Sequence, residues 1–273
     1  MIRTAGPNDL PALRALFARA NDAPYDLAAV AEEKCFGLGI AGAPVVRVVD
    51  ENGVIHGAAV ICGKWLRILA VTPESRRKGI GTALLQDAEA HGATVIAAEP
   101  GNYFTPGVPM EDEGARAFFE ARGYSETRST WNLDVTLTGN VIEHVRRPEP
   151  ADADRVLAYV EREFGRIWQF EVAKAFDHEL PVAFIAEEHG AITGFAVHDV
   201  NNRGLGWFGP TGVAKELRGR GIGARLLEAS LDDLRRLGYE RAIIPWTDAL
   251  DFYAKASGAK PAHRFVAFAR RHS

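Results

Sequence analysis

Hydrophobic positions fall into short strand-like runs and helix-spaced stretches that follow one another twice in the same order. Residues 45–63 (VVRVVDENGVIHGAAVICG) and 182–200 (VAFIAEEHGAITGFAVHDV) are rich in β-formers. Each is broken by a turn pair, Asn52-Gly53 or His189-Gly190, the local pattern of a hairpin. Ahead of each run lies a short strand (2–4; 143–146) and a Pro/Asp-rich helix start, where Asp9 and Asp152 can cap exposed N–H groups. Behind each come another strand, a glycine-rich turn and a helix with paired leucines that ends near Gly92 or Gly238. A strand (94–99; 241–246), a helix ending at Gly123 or Gly258, and a last strand close the pattern.

This is an internal repeat. Val71–Leu85 (VTPESRRKGIGTALL) and Val213–Leu227 (VAKELRGRGIGARLL) share Val, Arg, Gly, Ile, Gly, Leu and Leu in order, and 213 − 71, 218 − 76, 221 − 79 and 226 − 84 all equal 142. Arg3, Asp9 and Leu13 answer to Arg146, Asp152 and Val156 at an offset of 143. Twice 142 is 284, slightly more than the 273 residues of the chain, so two copies of one unit fill it. Polar residues and Gly139 interrupt the pattern between Leu137 and Val141, which predicts domains at 1–138 and 139–273.

Composition narrows the functional classes. With 47% hydrophobic and 25% charged residues the chain has ample core material, and disorder, collagen and coiled coil are excluded. A net charge of −4 argues against a nucleic-acid partner. Cys35 and Cys62 are too few for a disulfide scaffold and are expected as free thiols in a reducing cytoplasm. Gly6, Pro7, Asn8 and Asp9 stand where an export signal needs an apolar run, and no stretch is long and apolar enough to span a membrane. The eight histidines are scattered without ligand spacing, so no metal is expected. A monomer or homodimer is compatible with all of this.

Chemistry concentrates in the repeated turn. Strand, glycine-rich turn and helix start bring unpaired N–H groups and the positive end of a helix dipole together, which is an anion site suited to phosphate. A Walker loop (GxxxxGK[ST]) is absent, and no GxGxxG directly follows a first strand, so both common nucleotide fingerprints fail on spacing. What stands in both copies is Arg-x-x-Gly-x-Gly after a central strand and before a leucine helix, and here the chain resembles the GNAT superfamily of acyl-CoA N-acyltransferases. The resemblance covers most of the chain. It implies an α/β (α+β) fold of two tandem GNAT-like domains, each a mixed, mostly antiparallel sheet flanked by helices, with two central strands splayed to admit a pantetheine arm. It also implies acetyl-CoA as cosubstrate. In the first copy Leu69, Ala70 and Val71 would bond the pantetheine, while Arg76, Arg77, Lys78, Gly79, Ile80, Gly81 and Thr82 would hold the pyrophosphate. Their counterparts are Thr211, Gly212 and Val213, then Arg218, Gly219, Arg220, Gly221, Ile222, Gly223 and Ala224.

Acyl transfer to an amine needs the amine deprotonated, the tetrahedral intermediate stabilised and the departing thiolate protonated. The family often draws that last proton from a Tyr in a pattern like FY-x-K-x-G. Phe252-Tyr253-Ala254-Lys255 matches it, with one extra residue before Gly258, whereas the first copy reads Phe118-Phe119 and lacks the hydroxyl. Tyr253 is therefore the expected general acid and the second domain the catalytic one. Asp248 is the candidate proton acceptor, with an N-cap role as its competing explanation for both it and Asp251. The long aromatic loop 101–109 and Trp207-Phe208-Gly209-Pro210 resemble segments of tandem bacterial GNAT proteins that include glucosaminide N-acetyltransferases, where an aromatic platform would suit an amino sugar. An aminoglycoside, a polyamine or a protein N-terminus is an alternative acceptor, and a non-catalytic acyl-CoA sensor is the alternative class.

Overall fold

The repeat folds into two compact units, Met1–Thr130 with His263–Ser273, and Trp131–Ala262. A computed structural model describes residues 1–20, 22–139 and 144–270. The first unit runs β1 (Ile2–Thr4), α1 (Leu10–Ala20), α2 (Ala31–Phe36), β2 (Val45–Glu51), β3 (Val54–Cys62), β4 (Trp65–Val71), α3 (Ile80–Ala90), β5 (Val95–Ile96), β6 (Val108–Pro109), α4 (Glu113–Glu120) and the start of β7 (Tyr124–Thr136). Strands β1 to β4 are antiparallel neighbours, and β5 lies parallel to β4.

The second unit holds α5 (Ala153–Phe164), α6 (Arg166–Ala173), β8 (Ala183–Glu188), β9 (Ala191–His198), β10 (Phe208–Val213), α7 (Ile222–Arg236), β11 (Arg241–Thr247) and α8 (Leu250–Ser257). Strands β8, β9 and β10 form an antiparallel sheet, and β11 pairs with residues 131–136 of β7.

Both hairpins close as the turn residues dictate. Asn52 and Gly53 take φ of 55° and 83°, His189 and Gly190 51° and 78°, the left-handed pair that matches the twist of the flanking strands. The paired leucines face inward: Leu84, Leu85, Leu226 and Leu227 are at most 1% exposed. Leu84 and Leu85 pack with Leu66 and Ile96 in the first core, Leu226 and Leu227 with Phe208 and Ile244 in the second. A further cluster in the second unit joins Val156 and Val160 of α5 to Phe195 and Val197 of β9.

Three expectations about elements are modified. The strand predicted at 94–99 is paired only at Val95–Ile96, because Ala97 and Ala98 turn to φ of 53° and 52°. The short strand at 143–146 is reduced to a bridge between Arg146 and Ile185; Glu143 and part of the 137–141 boundary lie outside the described residues. Most consequential, the last strand, β12 (Lys260–Arg270), does not stay with the copy that encodes it. Phe265 and Val266 pair with β6, and Phe268 and Ala269 with β5, so the final strand from residue 263 onward groups with the first unit. Pairing there buries Val266 and Phe268 with Ile96, Val108 and Phe119. Phe268→Ala is expected to cost about 3–5 kcal/mol in urea unfolding, the usual penalty for emptying a buried aromatic site.

The repeated Arg/Asp positions form an ion-pair network in each unit. Arg3 bonds Asp9 and Asp50, each at 2.7 Å, and Arg146 bonds Asp152 and Glu187, each at 2.7 Å. The same aspartates accept the N–H of Gly6 and Glu149, which closes the first turn of the helix start. The Arg146 hydrogen bond, helped by the Glu149 N–H, holds the Asp152 carboxyl down at about 2 against an ordinary 3.8. A depressed carboxyl pKa contributes stability above the unfolded value and loses it as pH falls through the folded one. Asp152→Asn should therefore cost roughly 1 kcal/mol at pH 7, with the difference from wild type vanishing between about pH 4 and pH 2 in urea titrations.

Candidate active site

Strands β4 and β5 pair at two positions only, Trp65↔Val95 and Leu66↔Ile96, before the left-handed Ala97 and Ala98 swing the second strand away. The gap opens into a cavity of about 680 Å³. Leu69, Ala70, Val71, Arg76, Arg77, Gly79, Gly81 and Thr82 line it, so most of the first cofactor set is brought together; Lys78 and Ile80 are not on its wall. Ile80 instead packs into the core beside Leu84.

The turn itself has one conformation in both units. Arg77 and Gly79 take φ of 62° and 85°, Gly219 and Gly221 81° and 77°. Left-handed backbone is natural for the three glycines and strained for Arg77, which marks a turn whose geometry is kept at a cost. The first intrahelical bonds are Ala83 N–H to Gly79 and Arg225 N–H to Gly221, which leaves the N–H groups of Ile80, Gly81 and Thr82, and of Ile222, Gly223 and Ala224, facing the turn without helical partners. Arg76 and Arg218 brace the strand ends: their Nε donates to Val71 O at 3.1 Å and to Val213 O at 3.2 Å. Arg76 also pairs with Asp22 at 2.6 Å, and Arg220 with Glu188 at 3.0 Å.

At the apex of the first cleft sits an ion pair that no motif announced. Arg67 of β4 grips Glu99, just beyond β5, through Nε–Oε2 at 2.5 Å and Nη2–Oε1 at 2.9 Å, with both side chains wholly buried. Its Nη1 donates to the carbonyls of Lys34 and Gly37. Gly39 lies so close that a Cβ there would stand 1.7 Å from Glu99 Oε1. The loop 101–109 is buried, and Phe104, Thr105, Gly107, Val108 and Pro109 form part of the cavity wall. Cys62 and Cys35 are both free and buried. Burial raises both thiols, Cys35 to about 12, which makes them poor nucleophiles.

In the second unit β10 and β11 meet at a parallel bridge, Trp207↔Ile243. Trp246 then takes φ of 50°, and because 246 − 98 equals 243 − 95, this repeats the swing at Ala98. Thr211, Gly212 and Val213 lie on β10, where the Thr211 hydroxyl donates to Phe195 O and the Phe164 ring lies against Gly212, 2.5 Å from where a Cβ would be. Phe164 stacks on Trp168 with centroids 5.1 Å apart, both rings partly exposed. By contrast, Trp207 and Phe208 are 2% and 1% exposed. They are core residues at the start of β10, and the aromatic platform expected there is not available to a ligand.

Phe118 packs over Gly81 and Phe252 over Gly223, so Phe119 and Tyr253 occupy equivalent positions. Tyr253 is 9% exposed, edge-on to Phe208 and Phe252, and burial pushes its hydroxyl up to about 12. It is protonated at neutral pH. Asp248 is exposed, just ahead of α8 and its N-cap Ala249, and Asp251 is exposed in the first turn. Arg122 also escaped sequence reasoning: it lines the first cavity from beyond the end of α4 and donates to Thr82 Oγ1 at 2.7 Å. Among the described residues no group of three or more His, Cys, Asp or Glu is set to hold a metal, and no helix is long and apolar enough to cross a membrane.

A duplicated unit with a split central strand pair and a glycine turn feeding a helix is an acetyltransferase architecture, and the chain belongs to the GNAT acetyltransferase family. The model described as the acetyltransferase (GNAT) family matches residues 145–259, and the acetyltransferase (GNAT) domain model matches residues 31–126. The protein is thus a tandem-domain N-acetyltransferase with one such domain per copy. Mycothiol acetyltransferase of Clavibacter michiganensis subsp. michiganensis is 28% identical over 270 residues, covering 89% of this chain and 81% of that protein. Among solved structures, a glucosamine N-acetyltransferase region of a fungal multi-domain GH3 β-N-acetylglucosaminidase superposes with a TM-score of 0.80 at 20% identity. That match takes in 98% of this chain, which spans only 38% of the fungal chain. A GCN5-related N-acetyltransferase from Sphaerobacter thermophilus gives 0.71 at 23% identity, covering 98% and 94% of the two chains.

Gly39→Ala should drive its methyl into the buried pair, splitting Arg67 from Glu99. The expected loss is about 3–5 kcal/mol of stability by chemical denaturation, the range for a broken buried ion pair.

Proposed function

We propose that the chain transfers the acetyl group of acetyl-CoA to a primary amine of a small molecule, an amino sugar being the favoured acceptor class, and that the second unit carries out the chemistry. The observation that carries this reading is Tyr253: a buried, protonated hydroxyl behind a repeated anion-binding turn, at the position where the first unit has Phe119. The residues present fit acetyl-CoA. In each unit one edge of the central strand is without a ladder partner beyond the split, and the helix N-terminus that follows offers N–H groups to a diphosphate. Acetyl-CoA bound there would supply the activated thioester.

The protein's own part is positioning and proton movement. Thr211, Gly212 and Val213 offer the strand edge that orients the pantetheine amides, and the Gly219 to Ala224 turn anchors the diphosphate. The Tyr253 hydroxyl donates to the departing sulfur. Asp248, exposed ahead of α8, is the carboxylate we assign to drawing the proton from the ammonium, directly or through water. A glucosamine N-acetyltransferase region among the structural neighbours supports the amino-sugar class. Free thiols fit work in a reducing compartment such as the cytoplasm.

For the first unit a second reading is favoured by Phe119: it holds acyl-CoA without turning it over, since a phenyl ring donates no proton. The test is free-CoA release from acetyl-CoA with an amine panel that includes glucosamine. Tyr253→Phe should lower turnover roughly 10- to 1000-fold while acetyl-CoA affinity stays near wild type. A fully active Phe variant removes Tyr253 from the mechanism, and the absence of CoA release with every amine of the panel favours the sensor class.

A further inference from the structure

The anion-binding turns use up much of their obvious charge. Arg76 is neutralised by Asp22 and braces Val71, Arg220 is paired with Glu188, and Arg218 braces Val213. In each unit a further guanidinium, from outside the turn, has no carboxylate partner among the described residues. In the first unit Arg122 lies over the Phe118 ring, 3.8 Å from the centroid, fixed by bonds to Phe118 O at 2.8 Å and Thr82 Oγ1 at 2.7 Å. It borders the cavity that Gly79, Gly81 and Thr82 also line. Among the described residues its partners are those two oxygens and no carboxylate, and its Nε is buried without a hydrogen-bond partner.

The second unit has no such residue at that place: the spacing that relates Phe118 to Phe252 relates Arg122 to Ala256. It has Arg225 instead, one turn into α7, whose Nη1 lies 3.4 Å from where a Gly221 Cβ would be. Arg225 Nε is likewise buried without a partner, and no carboxylate among the described residues pairs with the side chain. The first-unit counterpart of Arg225 is Ala83, since 225 − 83 is again 142. Besides Arg77 and Arg218 of the turns themselves, which also lack a carboxylate partner among the described residues, each unit thus has one further arginine beside its turn without such a partner, recruited from a different element. A buried N–H left without a partner is costly, and an unpaired guanidinium beside a helix N-terminus repels that positive end. An anion at the turn, held by the remaining Nη hydrogens, offsets the repulsion.

We propose that Arg122 and Arg225 are the diphosphate-gripping residues of the two units, each adding a charge-assisted fork to the backbone donors of its turn. The proposal rests on the acyl-CoA reading above and concerns residues outside the Gly-rich motif.

The test is calorimetric titration of the full chain with CoA and with dephospho-CoA, for wild type, R122Q, R225Q and the double variant, each checked by thermal melting. Arg122→Gln should weaken the first-unit site and Arg225→Gln the second-unit site by about 10- to 100-fold, by the same factor for both ligands. Should R122Q fail to fold, Arg122→Lys keeps the charge without the fork and should still lose about three- to tenfold. Folded variants that bind CoA as wild type does overturn the proposal. A loss seen with CoA and not with dephospho-CoA moves the contact to the 3′-phosphate and overturns the diphosphate assignment. Wild type that binds neither ligand overturns the acyl-CoA reading itself, and this proposal with it.

Discussion

Two parallel strands that part company leave a row of backbone N–H and C=O groups without ladder partners, and each unit is organised around that shortfall. In the first unit the parting comes after two paired residues and is enforced by Ala97 and Ala98, held at positive φ. A wedge in a sheet would ordinarily collapse. Here its apex is filled by the buried Arg67–Glu99 pair, which ties β4 to the chain just beyond β5, and its flank by the loop that carries Phe104. Burying two charges is expensive, and the cost is offset only because the fork is bidentate and Nη1 finds two carbonyls as well. At the far end β4 runs into the turn, where the next set of unpaired donors belongs to a helix N-terminus. A ligand that satisfies both must carry amides along its length and an anion at its end.

The two copies keep this frame and diverge in what they hang on it. Where the first has Arg67, the second has Gly209; where the first has Phe119, the second has Tyr253; Ala83 and Arg122 are exchanged for Arg225 and Ala256. None of these exchanges touches the hairpin turns, the paired leucines or the Arg/Asp networks that hold each unit together. The positions that differ between the copies are thus ones the backbone does not need, which leaves room for the division of roles proposed above.

What could be read in the sequence follows the range of the forces involved. The hairpins at 52–53 and 189–190, the helix ends at Gly92 and Gly238 and the glycine turn are local, set by φ preference and capping, and they formed where the residues said. The fate of β12 was illegible, because strand pairing is decided by partners far away in sequence and nothing within Lys260–Arg270 names β5 or β6. Trp207 and Phe208 misled for the same reason: an aromatic pair in a glycine-rich stretch looks like a surface platform until tertiary contacts bury it. Phe164 and Trp168, which do present partly exposed rings beside β10, sat in an ordinary amphipathic helix pattern that gave no hint. Arg67, Glu99 and Arg122 stayed hidden because their partners come from other elements.

In the proposed reaction the Tyr253 hydroxyl faces an energetic mismatch. A hydroxyl held at about 12 is a weaker acid than an ordinary thiol near 8.5, so complete proton transfer to a departing thiolate would run uphill by about 5 kcal/mol. Burial by Phe208 and Phe252, which keeps the hydroxyl protonated, also keeps it from letting go. Two things lessen that mismatch. A hydrogen bond from a desolvated hydroxyl to a developing anion strengthens as charge builds on sulfur, and is worth about 1.5–3 kcal/mol without any transfer. The ammonium formed on the attacking amine has a pKa much nearer that of the thiolate and can supply the proton once the carbon–sulfur bond loosens. Under the proposed function Tyr253 would act as a fixed dipole toward the leaving sulfur rather than as a full proton donor, its hydrogen bond strengthened by the low dielectric around it.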